Sequence, residues 1–149
     1  MPASRSANVR RTPEEAVSAP PVRLGQLMPR GLAPAILAIV ERGARRRPEM
    51  ARSLDIEVEL VVLGDYPPVR LVFTPEEVLV EDAPALAPAL RVRGELADLI
   101  GLMVAPIVGG VPMPFTARGR NAVAMVASRR IRVQGRLGLL RRLLAVIQI

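Results

Sequence analysis

Four residue types are missing from this chain: cysteine, histidine, lysine and tryptophan. Without cysteine there are no disulfides and no thiolate metal sites. Without histidine, no side chain has an unperturbed pKa near neutrality. Schiff-base and thiolate nucleophiles are excluded as well. Aromatic residues are nearly absent, with only Tyr66, Phe73 and Phe115 present. Acidic residues stop early: 12 of the 14 precede residue 83 and none follows Asp98. What remains for chemistry is carboxylates, Ser and Thr hydroxyls, one phenol and arginine. Paired carboxylates can in principle hydrolyse a bond, but these acids sit in a charged tail or alternate with apolar strand residues, the pattern of a solvated face. Gly101, Gly109, Gly110 and Gly119 lack the spacing of a phosphate-cradling loop. The chain therefore reads as no enzyme, with no catalytic residue, metal ligand or cofactor.

What is present is aliphatic. Half of the 149 residues are hydrophobic, chiefly Ala, Val, Leu and Ile, enough for one ordinary domain with a substantial core. Branched aliphatic chains pack well, and they can also line a cavity for another aliphatic object. All 21 basic residues are Arg, which with the abundant Ala, Pro and Gly fits a GC-rich bacterial genome. Charge is uneven along the chain. Residues 1–98 carry 13 Arg against 14 acids, whereas residues 99–149 carry eight Arg and no acid. Such a basic half attracts anionic surfaces, acidic headgroups among them. Arg129, Arg130, Arg141 and Arg142 are the expected membrane-docking residues, unless they are simply solvated or pair with carboxylates of the first half. Binding to single-stranded nucleic acid needs aromatic stacking platforms, and none lies among the terminal Arg.

Residues 1–22 are rich in Pro, Ser, Arg and Glu and have no apolar periodicity, as in a flexible tail. They lack the apolar core of a secretory signal, so the expected location is cytoplasmic, with peripheral membrane contact as an option. Residues 23–31 lead in, and the domain spans 32–149. A helix is predicted over 32–44, with Pro34 near its start and Arg45, Arg46 and Arg47 at the negative end of its dipole. A short helical turn follows across 49–53. Asp55 to Leu63 alternates apolar with acidic residues as a strand. After the turn Gly64–Pro68, a second strand at 69–74 completes a hairpin. Short strands follow at 78–80 and 89–93, then a helix to about Val104 with Leu96, Leu99, Ile100 and Met103 as its stripe. Residues 99–117 carry no charge over 19 positions. Three Pro and three Gly among them speak against a spanning helix, leaving an apolar loop that is either packed on the core or a flap. The end reads as a helix capped by Asn121, a fifth strand at 130–134, and a terminal helix over 137–149.

This order of elements resembles the sterol carrier protein type-2 domain. The nearest local match is Ile131-Arg132-Val133-Gln134-Gly135 with the following Arg136-Leu137-Gly138-Leu139-Leu140-Arg141-Arg142-Leu143. There an alternating basic and aliphatic strand ends in Gly, and an apolar helix closes the domain. Leu90-Arg91-Val92-Arg93-Gly94-Glu95-Leu96-Ala97-Asp98-Leu99-Ile100-Gly101-Leu102-Met103 is the second match, a strand entering an acid-bearing helix rich in Leu. Two positions depart from the pattern: Arg136 stands where an acid or Asn is usual, and Val126-Ala127-Ser128 replaces aromatics.

The resemblance implies an α/β (α+β) fold with about five strands in a mostly antiparallel or mixed sheet. Helices cover the sheet, and the C-terminal helix closes an apolar tunnel. It further implies a carrier for a lipid-like ligand: a sterol, a fatty acyl chain or an isoprenoid. Leu99, Leu102, Met103, Met125, Leu139, Leu140, Leu143 and Ile147 are then the candidate tunnel lining. Some bacterial relatives look like accessory factors for isoprenoid quinone synthesis, so the alternative is an adaptor whose groove takes a biosynthetic partner protein.

Overall fold

The computed structural model describes residues 17–104, 107, 108, 111, 112, 117, 120, 124 and 128–148. In chain order its elements are β1 (Val22–Leu24), α1 (Ala33–Arg46), α2 (Pro48–Ser53), β2 (Ile56–Val62), β3 (Val69–Phe73), β4 (Val78–Asp82), β5 (Leu90–Gly94), α3 (Leu96–Met103), β6 (Ile107–Val108), β7 (Val111–Pro112), β8 (Arg132–Gly135) and α4 (Leu137–Ile147).

The period-two alternation of the strands decides which face is apolar. β2 and β3 pair antiparallel with Val58 opposite Leu71, and β4 extends the meander with Val80 opposite Leu71. β5 runs parallel to β2 on its other side, and β8 closes that edge antiparallel to β5. Val58, Leu71, Phe73, Val78, Val80, Leu90 and Val92 therefore point one way. They form a single core with Val40 and Ala44 of α1, Leu99 and Leu102 of α3, and Leu140, Leu143 and Val146 of α4. Full burial of each larger aliphatic side chain contributes about 1.5–3 kcal/mol. α3 is rotated slightly from the predicted stripe: Ile100 is exposed and Leu102 is buried.

The sheet has six strands, in the order β1-β4-β3-β2-β5-β8. The sixth strand is β1, which starts at Val22, in the stretch read from sequence as a tail, and runs into the lead-in. Three residues are too few to display an alternation, and β1 is fixed only by a partner far along the chain. It runs parallel to β4, flanked by Val78 N–H to the Pro21 carbonyl at 2.9 Å and Gly25 N–H to the Val80 carbonyl at 2.8 Å. β6 and β7 form a separate antiparallel hairpin inside the uncharged stretch. Its side chains, the rest of 105–116 and most of the helix expected from Asn121 lie outside the described residues. No helix among the described residues is long and apolar enough to cross a membrane.

Candidate functional site

Where the helices leave the sheet incompletely filled, an apolar cavity of about 50 Å³ remains. β2, β3 and β5 supply its floor through Leu60, Val62, Val69 and Val92. α1 adds Ile36, α3 adds Leu96, Leu99, Leu102 and Met103, and α4 adds Leu140, Leu143, Leu144 and Ile147. Every lining side chain is aliphatic or a thioether, so the cavity offers contact area and no hydrogen bond. An apolar space of this kind stays dry and accepts apolar atoms. It is smaller than the roughly 300–1,000 Å³ of ordinary ligand pockets.

Six of the predicted lining residues meet here: Leu99, Leu102, Met103, Leu140, Leu143 and Ile147. Leu139 is half-buried and is not among the lining residues, because it sits beside Leu140 on the helix turn, away from the stripe. Met125 lies outside the described residues. Sequence reasoning missed the strand contribution, although the alternating apolar positions of β2 and β5 signalled it. It also missed Ile36, which was legible as part of the α1 stripe.

The opposite face of the sheet corrects the reading of the acids as solvated. Arg70 bonds Glu57 at 2.6 Å and Glu81 at 2.7 Å, linking three adjacent strands. Arg91 bonds Glu59 on the neighbouring strand at 2.5 Å. The same carboxylates accept backbone N–H groups of the crossing loop: Ala85 on Glu59, and Leu86 and Ala87 on Glu57. The Arg70 hydrogen bond holds the Glu57 carboxyl below the usual glutamate range, against an opposing effect of burial, and the loop amides lower it further. Arg70 is raised in turn, chiefly by its bonds to Glu57 and Glu81. The strand acids are thus spent on structure, tying the β4–β5 crossover to the sheet.

The four expected docking arginines do not form one patch. Arg130 clasps the buried Asp98 with two nitrogens, at 2.7 and 3.2 Å, so the basic half is partly paired with the first half. Arg129 and Arg130 line a cleft beside the starts of α3 and β8. Arg142 lies elsewhere, on a cleft with Arg46, Arg47 and Met50, and bonds Ser53 of α2. Arg141, next to it on α4, is exposed and also engaged. Among the described residues no group of His, Cys, Asp or Glu is arranged to hold a metal ion.

A mixed six-stranded sheet, with helices closing on one apolar face and a terminal helix over a cavity, is the sterol carrier protein type-2 fold. A solved structure described as a UbiJ-SCP2 ubiquinone synthesis protein is similar to this chain at a TM-score of 0.57, with 19% identity, over 78% of this chain and 92% of that one. No family model and no curated protein matches the sequence. The likeness is one of fold.

Proposed function

We propose that this protein is a non-catalytic carrier of a long apolar chain, a fatty acyl, sterol or isoprenoid group, taken up between the sheet and α1, α3 and α4. The cavity walled by aliphatic side chains from those elements carries the reading. The solved ubiquinone synthesis protein of the same fold supports a setting in the synthesis of a lipid-soluble quinone; the alternative is an adaptor that binds a biosynthetic partner protein. Each buried methylene contributes about 0.8 kcal/mol, so ten contribute roughly 8 kcal/mol before ordering costs. That corresponds to about micromolar affinity without any polar contact. At about 50 Å³ the cavity admits only the first atoms of such a chain, and the rest enters as the helices part from the sheet. Contact with an anionic leaflet through Arg129 beside α3, or through Arg141 and Arg142 of α4, would bring the protein to its ligand. Binding of that kind weakens steeply with salt.

The test is extraction of the purified protein with mass spectrometry of the extract, together with titration by a fluorescent prenyl or acyl probe. A bound long-chain molecule and saturable probe binding are expected. Met103→Phe, which adds a ring at the cavity wall, should weaken the probe about tenfold, the cost of losing one or two methylene contacts. An empty extract with no saturable binding overturns the proposal. Retention of a protein in place of a lipid favours the adaptor.

A further inference from the structure

The cleft beside α3 holds an arrangement that the apolar cavity does not use. It has a volume of about 300 Å³ and is lined by Leu63, Arg93, Glu95, Asp98, Arg129, Arg130 and Arg132. Four guanidinium groups thus face two carboxylates. Asp98 already receives both of its bonds from Arg130. Glu95 bonds none of the other three.

Arg93 and Arg132 are direct cross-strand partners on β5 and β8. Like charges placed opposite each other on a sheet repel, and sheets normally avoid them or insert a carboxylate between them. Here no carboxylate lies within ion-pair distance of Arg93, Arg129 or Arg132 among the described residues. One pair of strands away, the same sheet solves the problem with Arg91 on Glu59 and Arg70 between Glu57 and Glu81. Arg129 adds a second oddity, with a φ of 60° that places a long side chain in the left-handed region. Such a conformation costs energy and persists where the surroundings hold it.

Three exposed guanidiniums around one cleft, none with a carboxylate partner among the described residues, are placed to receive an anion from outside the chain. We infer that Arg93, Arg129 and Arg132 form a binding site for a phosphoryl group. Guanidinium forks match both carboxylate and phosphate oxygens. A phosphoryl group carries enough oxygens and charge to engage three forks at once, which a single carboxylate does not, and the cleft has room for a diphosphate. The cleft and the apolar cavity share no lining residue, so the phosphoryl site does not rest on the apolar cavity, although Arg129 is also one of the arginines proposed to meet a leaflet.

The phosphoryl group can belong to a free anion or to a phospholipid headgroup, and two arms separate these sources. In the first arm, inorganic diphosphate is titrated into the full-length protein at low salt while Tm and heat are recorded. Saturable binding, weakened by salt, is expected for a free anion. Arg93→Gln/Arg132→Gln should lose at least about tenfold in affinity, as removal of two charge-assisted bonds implies. Arg45→Gln, in the last turn of α1 and outside the cleft lining, should lose nothing. In the second arm, the same proteins are sedimented with phosphatidylglycerol or phosphatidylcholine vesicles. Binding of the parent protein to the acidic vesicles alone, lost in the double variant, assigns the headgroup as the source. The anion-free double variant should melt no lower than the parent, because its change removes a repulsion. If diphosphate and acidic vesicles bind the parent and the double variant alike, or bind neither, the site does not exist.

Discussion

Asp82 is the most fully buried charged residue among those described, with 0% exposure. Its Oδ1 accepts the Ala33 N–H at 2.9 Å and its Oδ2 accepts the Met28 N–H at 3.1 Å. Leu32, the N-cap of α1, makes no side-chain cap, and Pro34 in the first turn has no N–H. A carboxylate delivered from the end of β4 therefore does the work that a Ser or Asp at the cap does elsewhere. Gly31 is the consequence, since a Cβ there would overlap the Asp82 carboxylate. Asp82→Ala leaves two N–H groups without a partner, and urea denaturation should show a loss of about 2–5 kcal/mol. Gly31→Ala should lose stability through the same contact. A stable Asp82→Ala protein would mean that the loop finds other acceptors.

At the scale of elements, the closing helix is seated on α1 by a close backbone approach. A Cβ on Gly43 would overlap the carbonyl of Val146, so α1 and α4 cross with almost nothing between them. Arg46 at the end of α1 donates to the Gln148 carbonyl, and Arg142 of α4 donates to Ser53, the last residue of α2. These contacts hold α4 at its middle and its C-terminal end while Leu140, Leu143, Leu144 and Ile147 face the cavity. Gly43→Ala must push the helices apart. We expect a loss of about 1–3 kcal/mol in urea, typical of overpacking, together with weaker probe uptake as the cavity wall shifts. A change in stability with unaltered uptake would show that the α1–α4 spacing is irrelevant to binding.

For the whole molecule, a ligand that binds only the folded chain stabilises it by mass action. At a probe concentration 100 times Kd this amounts to about 2.7 kcal/mol. An isoprenoid or acyl probe should therefore move the urea midpoint upward in proportion to the logarithm of its concentration, with the slope of the transition nearly unchanged. No movement at saturating probe would contradict the carrier proposal independently of any fluorescence signal. Salt should separate the two proposed surfaces. An apolar cavity is insensitive to moderate ionic strength, whereas attraction of arginines to an anion is screened within about 8–10 Å.

The sequence by itself determined the strands and most of the core. Val58, Leu71, Phe73, Val80 and Val92 are buried because a period-two pattern allows only one face to be apolar. The terminal helix with its inward Leu140, Leu143, Leu144 and Ile147 was equally legible, because a stripe at helical spacing has one stable place to go. Six cavity-lining residues followed from that periodicity taken with the family resemblance. Short elements and charge pairing were not legible. β1 has three residues and no pattern, so only the free N–H and C=O groups of β4 give it a place. The acids of β2 read as solvent-facing because alternation says which face a side chain occupies, not what covers that face. Arg70, Arg91 and the loop amides arrive from 13 to 32 residues away. The basic half of the chain is continuous in sequence, yet the fold sends Arg130 to Asp98 and Arg142 to Ser53 and sets Arg132 against Arg93. Charge in a sequence is a sum. Which charges meet is settled by strand register and helix crossing, and these are properties of the tertiary structure alone.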